Sequence, residues 1–113
     1  MTARLEMDYV EFYAPDLARE KGFFGDAFGW HFVSYGPDYL NIQGGGMGGG
    51  VERAENAAPL IVLKADDLEA ALSQVRASGG EITREIYGFP GGTRFEFRTP
   101  GGTMMAVWTR SAD

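Results

Sequence analysis

At 113 residues the chain has the length of one domain, and 44% hydrophobic residues are enough to form a core without staples. The absence of cysteine excludes disulfides and thiolate metal sites. Sixteen acidic residues against ten scattered basic ones, a formal charge of −6, exclude nucleic acid and anionic membranes as partners. No apolar run approaches the ~20 residues of a membrane span or has the form of a signal peptide, so the expectation is a soluble, cytoplasmic protein.

Residues 5–14 alternate. Val10, Phe12 and Ala14 face one way and Tyr9, Glu11 and Tyr13 the other, the period of a strand with one apolar face. Pro15-Asp16 opens a helix with Asp16 as N-cap; Leu17, Phe24, Ala27 and Phe28 form its apolar stripe, and Gly29 stops it. Residues 30–35 and 39–43 read as strands around a turn at Gly36-Pro37-Asp38. The glycine-rich run 44–50 has no Lys-Ser or Lys-Thr and no helix after it, so it is not a phosphate loop. Glycine in a strand instead permits a bend or a close approach.

After a linker at 54–58, residues 60–65 form an apolar strand. Asp66-Asp67-Leu68-Glu69 opens a second helix, with Asp66 and Glu69 at capping-box spacing and Leu68, Ala71, Leu72 and Val75 on one stripe. Gly79-Gly80 ends it, residues 82–87 are a strand, and 88–92 are a loop. In the last stretch Phe95 and Phe97 alternate with Arg94, Glu96 and Arg98. Pro100-Gly101-Gly102 turns the chain, and Met105 and Val107 alternate with Met104, Ala106 and Trp108.

A shift of 51 positions lays Ala14-Pro15-Asp16-Leu17 on Ala65-Asp66-Asp67-Leu68 and Gly29 on Gly80, and the order of elements repeats with it. The reading is an α+β fold: tandem βαβββ modules, residues 1–53 and 59–113 of a single domain, forming a curved mixed sheet with a concave cavity and helices outside. Tyr9, Glu11 and Tyr13 are then expected on the concave face with Arg94, Glu96 and Arg98, among Tyr39, Leu60, Val62, Met104 and Trp108 as apolar wall. The competing reading makes Arg94–Glu11 and Arg98–Glu96 structural ion pairs and the Met and aromatic side chains plain core. Glu11 and Glu96 are the candidate general bases if burial raises their pKa.

The ordered set Val10-Glu11-Phe12-Tyr13-Ala14-Pro15-Asp16-Leu17, Phe23-Phe24-Gly25-Asp26-Ala27-Phe28-Gly29-Trp30, Asp67-Leu68-Glu69-Ala70-Ala71, Ala77-Ser78-Gly79-Gly80 and Phe97-Arg98-Thr99-Pro100-Gly101-Gly102 resembles the vicinal oxygen chelate superfamily. That superfamily includes glyoxalase I, bleomycin-resistance proteins and extradiol dioxygenases, and the resemblance is nearest its glyoxalase-related branch. Thr99 stands where the family's turn has Asp. The resemblance implies four inward-pointing ligands, usually His, Glu or Gln, holding a metal that chelates two neighbouring oxygens.

The corresponding positions here are Tyr9, the stretch 47–51, Leu60 and Ala106, and the only histidine, His31, begins a strand elsewhere. These residue types do not make a metal site. The expectation is therefore a small-molecule-binding protein with no metal or other cofactor, as the drug-resistance members bind and sequester their ligands. Tyr9, Glu11, Tyr13, Arg94 and Glu96 would orient a polar or charged ligand, with Tyr39, Leu60, Met104 and Trp108 as wall. The alternative is a lyase, isomerase or dioxygenase with a non-standard metal site or a Glu general base; a third reading is a structural role with the cavity filled by side chains. The expected partners are a small-molecule ligand and a second copy of the chain, as a homodimer.

Overall fold

A computed structural model describes residues 2–111. The alternating runs form strands and the two capped stripes form helices. Their order is β1 (Glu6–Ala14), α1 (Leu17–Phe28), β2 (His31–Ser34), β3 (Tyr39–Gln43), β4 (Gly48–Arg53), β5 (Leu60–Lys64), α2 (Leu68–Ala77), β6 (Glu81–Phe89), β7 (Gly92–Arg98) and β8 (Met104–Arg110). This is the expected α+β fold, βαβββ given twice. Neither helix is long and apolar enough to cross a membrane.

The chain divides into two compact units, one of Tyr9–Leu60 and the other of the N-terminal segment through Asp8 with the chain from Ile61 onward. Within the first the strand order is β2-β3-β4-β1, with β1 and β4 parallel and the other pairs antiparallel. The second repeats the plan as β6-β7-β8-β5, with β5 and β8 parallel. A parallel pair needs a long crossover, and in each unit the helix and two strands supply it.

Each sheet buries one face under its helix. In the first unit Ala14, Phe24, Leu40, Ile42 and Val51 form the core, with Phe12, Leu17, Trp30 and Phe32 against it. Phe24 is its hub, its ring 5.5 Å from Phe12 and 5.2 Å from Trp30. In the second unit Leu68, Ala71 and Leu72 of α2 pack on Phe95, Phe97 and Val107, and Phe95 and Val107 are fully buried. Burying such side chains stabilises a fold by roughly 1.5–3 kcal/mol each. Because side chains alternate across a strand, these cores assign the intervening residues to the helix-free faces.

The start of α2 differs from expectation. Asp67, not Asp66, is the N-cap, its carboxylate accepting from the Ala70 N–H at 3.0 Å. The capping box at Asp66 and Glu69 is therefore one residue out of register. Asp16 caps α1 in the same way, accepting from the Arg19 N–H at 3.0 Å. The two caps stand 51 positions apart, so the repeat locates the cap where the local motif misplaces it.

The expected loop at 88–92 is instead a tight turn at Pro90-Gly91, with Gly91 at φ 109 and Phe89 paired to Gly92. The β6 strand is also irregular: its register against β7 shifts between Ile82 and Arg84 and again between Arg84 and Tyr87. Each shift is a bulge, which re-aims the side chains beyond it. At the last turn Thr99 stands in for the family's Asp, its hydroxyl accepting from the Thr103 N–H at 3.1 Å.

Candidate functional site

On the helix-free face of the first unit the sheet register places Glu11, Gly50 and Asn41 side by side, with Tyr13, Glu52 and Tyr39 in the next row. Tyr9 lies one row the other way, opposite Gly48. The Tyr39 side chain leans across the gap at Gly50 until its hydroxyl meets that of Tyr9 in a hydrogen bond. A Cβ at Gly50 would overlap both hydroxyls. Glycine is needed here for the space above it, not for its backbone freedom.

Beneath these phenols lies Glu11, a charged side chain only 4% exposed. Its carboxylate accepts from the Tyr13 hydroxyl at 3.0 Å and from the Tyr39 hydroxyl at 3.3 Å. A phenol has one proton to donate. The assignment that uses each proton once runs from Tyr9 to Tyr39 to Glu11, with Tyr13 donating from the other side. Burial is the largest cause pushing the Tyr39 phenol above its ordinary 10.0, and the hydrogen bond to Tyr9 and the charges of Tyr9 and Glu11 push the same way. Tyr39 is therefore a fixed, protonated donor. Asn41 extends the face, donating to the Gly49 carbonyl at 3.3 Å.

The second unit carries its own polar cluster, again on the helix-free face. Arg94 pairs with Glu96 at 3.2 Å and donates to the Tyr87 hydroxyl. Tyr87 donates in turn to Glu96 at 2.5 Å. Burial, then the bond to Glu96, raises the Tyr87 phenol, and Arg94 opposes both. Trp108 stands opposite Arg94 on β8 and donates its indole N–H to Asp8 at 3.0 Å.

Of the residues singled out in the sequence, Tyr9, Glu11, Tyr13 and Tyr39 come together in one cluster, and Arg94, Glu96 and Trp108 neighbour one another in the other. Leu60 is the buried first residue of β5, and Met104, 37% exposed, begins β8 opposite Arg98. Arg98 pairs with Glu81 at 2.8 Å, not with Glu96 as the ion-pair reading had it, because Glu81 lies opposite it in the sheet while Glu96 faces Arg94 and Tyr87. His31 is exposed at the start of β2.

Three participants were missed: Tyr87, Gly50 and Asn41. For Tyr87 the available signal was alternation, since Ile82 and Ile86 on the core side put it on the opposite face; the residue the bulges re-aim is Arg84. For Gly50 the available signal was a glycine at an inward position of a strand facing two tyrosines.

The superfamily pattern calls for a divalent ion, and the residues do not fit one. Its four positions offer a phenol at Tyr9, Met, Gly and Val at 47–51, an aliphatic Leu60 and a fully buried Ala106. None but the phenol carries an oxygen or nitrogen donor, and the Met47 thioether is a soft ligand, where a catalytic ion of this kind takes three protein ligands of imidazole or carboxylate type. Among the described residues no three of His, Cys, Asp and Glu group to hold a metal.

A family model described as the Glyoxalase/Bleomycin resistance protein/Dioxygenase superfamily matches residues 6–107. No curated protein matches the chain. Among solved structures it is similar to the Mn(II)-bound glyoxalase from Novosphingobium aromaticivorans, at 26% identity and TM-score 0.72 over 92% of this chain. The chain spans only 38% of that protein's length. It also has the fold of a glyoxalase/bleomycin resistance protein/dioxygenase superfamily member from Vibrio splendidus, at 18% identity and TM-score 0.70, covering 94% of this chain and 99% of that one. Methylmalonyl-CoA epimerase from Mycobacterium tuberculosis shares the fold at 14% identity and TM-score 0.68, covering 93% and 87%.

Proposed function

The chain belongs to the Glyoxalase/Bleomycin resistance protein/Dioxygenase superfamily, and from that premise we propose that it binds a small polar molecule without the superfamily's metal ion. The observation that carries the proposal is the Tyr9–Tyr39–Glu11–Tyr13 network. A nearly buried carboxylate there takes the phenol protons and so holds the phenol oxygens in fixed positions, as acceptors, on a sheet face that no helix covers. A few fixed polar groups in an otherwise apolar surround are what a binding site uses to orient its ligand. In the second unit Arg94 and Glu96, with Met104 and Trp108 on the neighbouring strand, are a further proposed ligand-binding cluster.

The engaged state of the carboxylates supports binding over general-base chemistry. Both Glu11 oxygens accept phenol protons, and one Glu96 oxygen accepts from Tyr87 and Arg94. A base must present a lone pair to the substrate's proton. The proposal extends to a homodimer, supported by the exposed Phe23 and Phe28 rings, which meet edge to face at 5.7 Å on α1. Sedimentation showing only monomer would count against it.

The test of the binding reading is a thermal-shift screen of neutral and charged small molecules with and without EDTA. Hits are expected to bind equally well with the chelator, and Tyr39→Phe should weaken them about tenfold, the worth of one hydrogen bond. Hits that need a divalent ion, or that ignore the loss of the Tyr39 hydroxyl, would overturn the reading.

A further inference from the structure

The second unit aligns Lys64, Trp108, Arg94 and Tyr87 across its four strands, each opposite the next in the sheet register. Cation and aromatic ring alternate along this row. The Lys64 ammonium stands 5.8 Å from the Trp108 ring centre, and the Arg94 guanidinium 5.6 Å from that of Tyr87. Arg84 caps the row, its guanidinium 3.4 Å from the centre of the same Tyr87 ring. The bulge between Arg84 and Tyr87 is what brings both side chains to one face.

Arg94 is committed to Glu96 and Tyr87. Arg84 and Lys64 are not so committed: in a chain of charge −6, neither side chain has a hydrogen bond or ion pair among the described residues. The acids nearest Arg84 along β6 are taken by other arginines, Glu85 by Arg76 and Glu81 by Arg98, each at 2.8 Å. Glu96 is shared between Arg94 and Tyr87, and Asp8 lies at the Trp108 indole. The Arg84 end of the row is thus left cationic.

Stacking occupies the flat face of a guanidinium and leaves its in-plane N–H fork free to meet a planar acceptor. A ring that already holds the guanidinium also lowers the ordering cost of binding.

We propose that this row binds a flat carboxylate, with the carboxylate on the Arg84 fork and the planar body lying along the row toward Trp108. Three strand spacings of about 4.8 Å make the row roughly 14 Å long, enough for a fused two-ring acid. The inference rests on the small-molecule-binding reading and gives the second unit a ligand of stated charge and shape.

The test uses 2-naphthoate and its uncharged counterpart 2-naphthamide, followed by the indole N–H signals in nitrogen-15 correlated spectra. The chain has two tryptophans, so Trp30 in the first unit serves as the internal control. The expected result is a saturable shift of the Trp108 signal with naphthoate and little with naphthamide. Affinity should fall about tenfold in Arg84→Gln and stay unchanged in Arg4→Gln, a solvent-exposed arginine paired with Glu6. No saturable shift, equal shifts with acid and amide, or an affinity indifferent to Arg84→Gln would overturn the proposal. If naphthoate fails while Tyr39→Phe still weakens an uncharged screening hit, this inference falls and the binding reading stands. If the Tyr39 hydroxyl is also without effect, both fall.

Discussion

Gly50→Ala is the substitution that most directly probes the phenol network. The added methyl would fall on the hydroxyls of Tyr9 and Tyr39 and on the ring carbon that bears the Tyr39 hydroxyl. Forcing a methyl into a packed site costs about 1–3 kcal/mol. Pushing Tyr39 aside also removes a hydrogen bond to the buried Glu11 carboxylate, about 1.5–3 kcal/mol for a charged acceptor. Against these, alanine restricts the unfolded chain and returns about 0.4–1 kcal/mol. The side chain of Tyr39 relieves part of the overlap by rotating, so the two losses do not add fully, and a net destabilisation of about 2 kcal/mol is expected.

For a domain of this size that lowers Tm by roughly 10 °C, read by circular dichroism or calorimetry. Gly22→Ala is the matched control: Gly22 is exposed within α1 with nothing within 4 Å of an added Cβ. It should gain about 0.5–1 kcal/mol from helix propensity. In a Tyr39→Leu background the Gly50→Ala cost should fall, giving a coupling of about 1 kcal/mol. A neutral or stabilising Gly50→Ala, or a cost unchanged without the Tyr39 ring, would refute the assignment of Gly50 as the opening that lets the two phenols meet.

Two further outcomes follow from the caps and the phenols. Asp67→Ala should cost about 1 kcal/mol in chemical denaturation and Asp66→Ala close to nothing; the reverse order would restore the capping box. The Tyr39 phenol is raised in the fold, so the folded state keeps its proton where the unfolded state loses it. Its contribution to stability is full below about pH 10, the unfolded phenol value, and declines as pH rises beyond it. Tyr39→Phe should flatten that alkaline decline, and an unchanged slope would contradict the raised pKa.

Much of this architecture was readable because alternation and capping are local. The faces of β1 and β7 follow from period 2, and Asp16 marks the start of α1, whereas the capping-box spacing at Asp66 put the start of α2 one residue early. The features that resisted are those in which the chain departs from its own period. Two bulges in β6 moved Arg84 and Tyr87 onto one face, and no residue type announces a bulge in Glu81–Phe89. The Pro90-Gly91 turn looked like a longer loop because Gly88 and Gly92, both strand residues, read as loop formers. The partner of Arg98 depended on register against β6, which the bulges alter. The role of Gly50 lies in what two other side chains do above it, a property of the packed sheet and not of the strand.

Metal content tests the central claim most directly. The protein would be purified without chelators, dialysed, and analysed by inductively coupled plasma mass spectrometry. A phenol at Tyr9 with Leu60 and Ala106 at the superfamily's ligand positions predicts divalent ions far below one per chain. One equivalent of a divalent ion surviving dialysis would contradict the metal-free binding reading.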